Sequence, residues 1–270
     1  MAAELEVEEI LSDALELLGA QRLPNDLDVV HFGPLALRVA PKEGAATSLL
    51  ADQLFSPALL LAHQIQTDAL PTSLRDCAVL ELGSGAGLPS ILAKTRAGSQ
   101  LVVASDYPAD TILKPLKTNV SAYAPGVLVE GFAWGSDPSC LLYHSRKHSP
   151  DGFDVIILSD LLHFASSHDE LLDSVVALLR RTPNSSSPSS DHRKNTIVTP
   201  TVYVACGTYT PADVCRRFVA GATARGLRLD EQPQLTKWHP RAEWWLEGLT
   251  REDMGIRLAQ CRLWIGQWAA

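Results

Sequence analysis

The 270 residues contain no Cys-x-x-Cys pair, no run of Lys and Arg, no internal repeat and no long apolar stretch. Each absence removes a class of protein. The five cysteines, Cys77, Cys140, Cys206, Cys215 and Cys261, have an odd count and no metal-ligand spacing. They read as reduced, mostly buried thiols, which favours a cytosolic compartment over a disulfide framework. Eight scattered histidines make no metal site, and none is expected. A net charge of -8 without a basic track argues against nucleic acid as a partner. Without a run approaching the roughly 20 apolar residues of a membrane span, no membrane partner is expected either. Acids at Glu4, Glu6, Glu8 and Glu9 argue against a signal or transit peptide, so the expected location is the cytoplasm.

What is present suits an α/β protein. An apolar fraction of 46% can fill a sizeable core. Continuous apolar strands alternate with helical patterns from Arg75 onward: Ala78 to Leu82, Leu101 to Ser105, Val127 to Val129, Val155 to Ser159 and Val202 to Cys206. Strands apolar on both faces, alternating with helices, predict a doubly wound, mostly parallel sheet covered on both sides. Ahead of it the pattern predicts a helix over 2–19, short strands at 29–32 and 35–39 around Gly33-Pro34, and a helix over 47–66. Later, Ser167 to Glu170 has the form of a capping box. Thr210-Pro211 predicts a helix start with Thr as cap, and Leu258 to Trp264 a last strand. Residues 1–70 are expected to form a cap and pre-core segment and 71–270 the core, in a single structural domain. The Ser-rich stretch 182–195 reads as a flexible insertion.

The pivot is Ala78 to Ser90, reading AVLELGSGAGLPS. Glycines at 83, 85 and 87 turn the backbone from strand to helix and allow close ligand approach. Glu81 interrupts the apolar run, and a buried acid needs a partner, such as the amino group of an amino-acid-like ligand. A dinucleotide fingerprint would need its third glycine at position 88, which is Leu88. The spacing Glu-x-Gly-x-Gly-x-Gly instead resembles motif I of the Rossmann-like S-adenosyl-L-methionine (SAM) methyltransferases. Ligands in such sheets bind beyond the carboxyl ends of the strands. Asp106 ends the second core strand nineteen residues after Gly87, where an acid can reach two ribose hydroxyls. Trp134 can wall an adenine slot, and Ser159 and Asp160 end the fourth strand, near the reactive centre.

Five segments in order (Glu81 to Ser90, Asp106-Tyr107-Pro108, Asn119-Val120, Trp134 to Asp137 and Leu158 to Leu162) resemble the family 16 methyltransferases. This is the nicotinamide-N-methyltransferase-like group, and the likeness is to its fungal elongation-factor-1-alpha N-terminal and lysine methyltransferases, over about residues 45–230. The resemblance implies a Rossmann-like fold with SAM as cofactor. It implies cofactor contacts at Glu81, Gly83, Ser84, Gly85, Asp106 with Tyr107, Trp134 and Ser159, and at Phe55, which stands where the family places a tryptophan. Its Asp-x-x-aromatic signature reads Asp160-Leu161-Leu162-His163 here, so His163 replaces a Tyr or Phe.

The expected activity is transfer of a methyl group to a lysine or N-terminal amine of a protein, such as a translation factor, by a monomer. Asp160 would position the amine, and His163 would line the channel or relay a proton. Two alternatives stay open: a small-molecule N-methyltransferase lidded by Trp238, Trp244 and Trp245, and a SAM- or partner-binding protein without catalysis.

Overall fold

The structure is a computed structural model that describes residues 29–42, 45–181, 184–185, 197–234 and 246–269. The helix expected over 2–19, most of the 182–195 insertion and Trp238, Trp244 and Trp245 lie outside the described residues.

The chain opens with a hairpin, β1 (Val29–Phe32) and β2 (Leu35–Arg38), then helices α1 (Ala45–Ser48) and α2 (Ser56–Gln66). The alternating core follows as β3 (Ala78–Leu82), α3 (Leu88–Leu92, continued by a π-turn over Ala93–Ala97), β4 (Leu101–Asp106), α4 (Asp110–Tyr123) and β5 (Leu128–Gly131). Next come α5 (Ser139–Ser145), β6 (Val155–Ser159), α6 (His168–Leu178) and a two-residue pair, β7 (Asn184–Ser185) with β8 (Ile197–Val198). The chain continues through β9 (Thr201–Gly207), α7 (Ala212–Ala224), β10 (Leu227–Glu231), α8 (Arg251–Ala259) and β11 (Cys261–Trp268).

Seven strands form one sheet in the order β10-β11-β9-β6-β3-β4-β5. Strands β9, β6, β3, β4 and β5 are parallel, and β11 runs antiparallel between β9 and β10. The chain leaves β3 towards β4 and returns to β6 on its other side. This makes the carboxyl ends of β3 and β6 the switch point, where a crevice opens between diverging loops.

Side chains alternate across the sheet and fill two layers. Val79, Val155, Ile157 and Tyr203 face α2, α3 and α8, whereas Leu80, Ile156, Leu158 and Val204 face α6 and α7. Two side chains of α4 tie the hairpin to the core: the Tyr123 hydroxyl, which bonds the Ala36 N–H and carbonyl at 3.0 and 3.3 Å, and the buried Asn119 amide. Asn119 on α4 accepts from the Arg38 N–H and donates both to the Arg38 carbonyl and to the Ala86 carbonyl, at 2.8, 2.8 and 2.9 Å. The same side chain thus anchors the hairpin and the glycine turn.

Five local expectations are corrected. The helix expected over 47–66 is two helices: Pro57 has no N–H to give and its ring would clash with the carbonyl four residues back, so it stands in the first turn of a new helix, and the turn before that helix holds Leu50 at φ +53°. The helix expected over 111–123, interrupted or started late by Pro115, runs unbroken from Asp110 to Tyr123. Ser167 makes no cap hydrogen bond; its ψ of 15° is not the extended backbone a capping hydroxyl needs. Thr210 is not the cap of α7: Pro211 holds that position, and the buried Thr210 hydroxyl makes no hydrogen bond. Finally, Leu258 belongs to α8, which starts at a true capping box of Thr250 and Asp253, and the last strand begins at Cys261.

Candidate active site

At the switch point lies a cavity of about 320 Å³, within the size range of small-molecule sites. It is lined by all eleven residues singled out in the sequence. Glu81, Gly83, Ser84 and Gly85 come from the end of β3 and its turn, and Asp106 and Tyr107 from the end of β4. Ser159, Asp160 and His163 come from the end of β6, Trp134 from the loop after β5, and Phe55 from the N-cap of α2.

Glu81 is fully buried. One carboxylate oxygen accepts from the Ser90 N–H at 3.0 Å and the Ser90 hydroxyl at 2.5 Å, and the other has no hydrogen-bond partner. Burial pushes its carboxyl up to about 8, against the pull of the two Ser90 bonds. A buried carboxylate with an orphaned oxygen on a cavity wall is a receptor for a cation.

Gly85 sits at φ +50°, and a Cβ built there would meet nothing within 4 Å, so the loop leaves open space beside the main chain. Gly83 is needed differently: at φ +65°, a Cβ would lie 2.6 Å from Leu161, on the segment that carries Asp160. Asp106 accepts from the Gly85 N–H and the Tyr107 N–H, both at 2.7 Å. Burial raises its pKa and these two bonds oppose the rise. Each of its oxygens keeps a lone pair for a further donor.

Asp160 is buried and adopts the left-handed conformation at φ +61°, which Asp tolerates better than most residues. Tyr209 donates its hydroxyl to one oxygen, and the Gly207 N–H donates to the other at 3.4 Å. The Ser159 hydroxyl next to it is buried without a partner. His163 packs against Phe164 with ring centroids 3.9 Å apart and the planes tilted by 45°, and neither ring nitrogen makes a hydrogen bond. Desolvation by burial lowers its pKa to about 4, so the ring is neutral at pH 7. Trp134 meets the other side of Phe164 edge-on at 5.7 Å. Beneath them His168 shares a 2.8 Å hydrogen bond with the Leu162 carbonyl and supports this wall from behind.

Sequence reasoning missed Tyr209, Phe164 and Glu170. Tyr209 lies two residues beyond the end of β9 and could have been found by the strand-end rule applied to Asp160. Glu170 was assigned to a cap; it stands on the cavity wall instead.

The donor set fits SAM. Glu81 would take its ammonium, the space beside Gly85 its close approach to the backbone, and Asp106 its ribose, with Trp134 and Phe55 as apolar walls. A pH dependence follows. In the ligand-free protein Glu81 is protonated below about pH 8, and a bound ammonium requires the carboxylate. Affinity for S-adenosylhomocysteine is therefore expected to fall as pH drops below 8, by up to about tenfold per unit, and Glu81→Gln should flatten that slope. Calorimetric titration across pH 6 to 8 reads both.

A doubly wound sheet with this acid, glycine turn and strand-end carboxylates defines a Rossmann-like methyltransferase fold. The sequence profile of the lysine methyltransferase family matches residues 42–195, more than half of the chain, and the chain belongs to that family. It is similar to the protein N-terminal and lysine N-methyltransferase efm7 of Schizosaccharomyces pombe, 34% identical over 140 residues, 51% of this chain and 54% of that protein. Efm7 of Neurospora crassa is 31% identical over 148 residues, 51% of each chain. EFM7 of Cryptococcus neoformans is 42% identical over 106 residues, 37% of this chain and 34% of that one. The aligned part of the chain spans about half the length of the first two of these curated relatives and a third of the third.

Proposed function

We propose that the protein is a SAM-dependent N-methyltransferase acting on a lysine or N-terminal amine of a protein. One observation carries the reading. Four acidic side chains (Asp106, Asp160, Glu170 and Glu81, the last ionised only when it meets a cation) line the cavity, and none of the described residues lining it is Lys or Arg. Such a field attracts cations and repels phosphates and acids, so it suits both a sulfonium donor and an amine acceptor. The family and the names of the fungal relatives support a protein acceptor. A translation factor is the acceptor class that the resemblance suggests, and the protein is read as a monomer.

When bound, SAM supplies an electrophilic methyl group on its sulfonium. The protein's own part is to bind and aim. Asp160 accepts from the acceptor amine's N–H and orients its lone pair, and the carboxylate favours entry of a cationic lysine, which must shed its proton before it reacts. The Ser159 hydroxyl offers a second polar contact beside it. His163, neutral and packed against Phe164, serves with Phe164 and Trp134 as an apolar wall that excludes water. No protein nucleophile is required.

Incubating a lysate with the protein and tritiated methyl-labelled SAM tests the assignment. Label is expected in the protein fraction, on lysine or an α-amine after hydrolysis. Label confined to small molecules would support the nicotinamide-type alternative, and no label over a protein-free control would remove catalysis from the reading.

A further inference from the structure

We propose that Tyr209 is a positioning residue that holds the Asp160 carboxylate in its working orientation at the acceptor end of the cavity. The inference rests on the amine-acceptor reading above.

The geometry comes from two neighbouring strands. Strand β9 lies parallel beside β6, with Ala205 opposite Ser159, so the turn after β9 overhangs Asp160. That turn is pinned: Thr208 donates its N–H to the Gln260 carbonyl at 2.8 Å, and Thr210 donates to the Gly207 carbonyl at 3.1 Å. Tyr209 folds back over Gly207 so closely that a Cβ at 207 would lie 2.1 Å from the ring. Only glycine leaves room for the phenol to reach Asp160. Its hydroxyl donates to one oxygen while the Gly207 N–H approaches the other. Among the described residues, Tyr209 is the one side chain that donates to Asp160. Each carboxylate oxygen retains a lone pair for an amine.

The other groups around Asp160 do not replace that donor. Cys206 on β9 is kept protonated by its hydrogen bond with Cys215 and by burial, and Cys261 on β11 by burial and the Asp160 charge. His163 is neutral at pH 7. Arg257 on α8 interacts electrostatically with Asp253, Cys261 and Tyr209, and Tyr209 itself is held protonated by burial and by Asp160. Burial pushes Asp160 up to about 6, and the Tyr209 bond opposes that rise by stabilising the ionised form. Without the hydroxyl the carboxyl moves further up, into the range where the group is substantially protonated at pH 7.

Tyr209→Phe keeps the ring and removes the donor. In protein labelled with 13C at the aspartate carboxyl carbon, the Asp160 signal, assigned by its loss in Asp160→Asn, should titrate about one unit higher in the variant. The acid limb of kcat/KM should move up with it. Turnover should fall about twofold at pH 7 and about tenfold at pH 5, and recover largely by pH 9, while S-adenosylhomocysteine affinity stays within about twofold. A midpoint unchanged within about 0.3 unit overturns the inference. If Tyr209→Phe does not fold, wild-type protein grown with 3-fluorotyrosine, a stronger donor, should shift the Asp160 midpoint down; no shift there also overturns it. Should wild-type protein label no acceptor at all, the amine-acceptor reading fails, yet the carboxyl titration still decides whether Tyr209 holds Asp160.

Discussion

Asp106→Ala is expected to weaken binding of S-adenosylhomocysteine by roughly a hundredfold or more while leaving the fold intact. The carboxylate does two jobs on one side chain. It accepts from the Gly85 and Tyr107 N–H groups, which fixes the glycine turn against the end of β4, and it leaves lone pairs free at the place where a ribose would lie. Hydrogen bonds to a charged group contribute about 1.5–3 kcal/mol each, so losing the ribose contacts alone accounts for that loss. Releasing Gly85 adds to it, because a loosened turn must be ordered again on binding. Asp106 lies at the rim of the sheet, so thermal stability should change far less than affinity. Calorimetry beside a melting curve separates the two, and affinity retained within a few-fold would remove Asp106 from the cofactor site.

Asp160→Asn is expected to lower kcat by on the order of a hundredfold or more with cofactor affinity nearly unchanged. Asn is chosen because it tolerates the left-handed backbone at φ +61° that a branched or bulky residue would strain. Its amide oxygen can still accept from Tyr209, so the local packing survives. What it lacks is the charge, and its amide nitrogen cannot accept from an amine N–H. The loss should therefore appear in turnover with acceptor rather than in binding of S-adenosylhomocysteine. Single-turnover methylation under saturating cofactor measures it; a rate within threefold of wild type would show that the acceptor amine is oriented by another group.

The two substitutions act at opposite ends of one cavity, and the sequence marks both positions for the same local reason. A carboxylate that ends a continuous apolar strand is costly unless it faces something polar, and Asp106 and Asp160 each end such a strand. Glu81 is legible in the same way, as an acid inside an apolar run just before three glycines. Less legible were the helix ends. Ser167 and Thr210 have the residue types of caps, yet neither caps, because the backbone at each point is set by how the following helix docks on the sheet. The proton role considered for His163 could not be weighed from residue type, since a histidine's charge state depends on how much water its surroundings exclude.

By itself, the sequence determined the alternation of strands and helices, the sharp turn after β3 and the set of strand-end carboxylates, since periodicity, glycine conformational freedom and the cost of a buried acid act over a few residues. Tertiary structure alone decided which strand ends meet. It put β6 between β3 and β9, and so brought Tyr209 to Asp160 across 49 residues of chain. It also left one oxygen of Glu81 without a donor, tied Asn119 to the glycine turn and stripped His163 of its charge. Those outcomes depend on desolvation and on partners distant in sequence, and neither is encoded in any short stretch of residues.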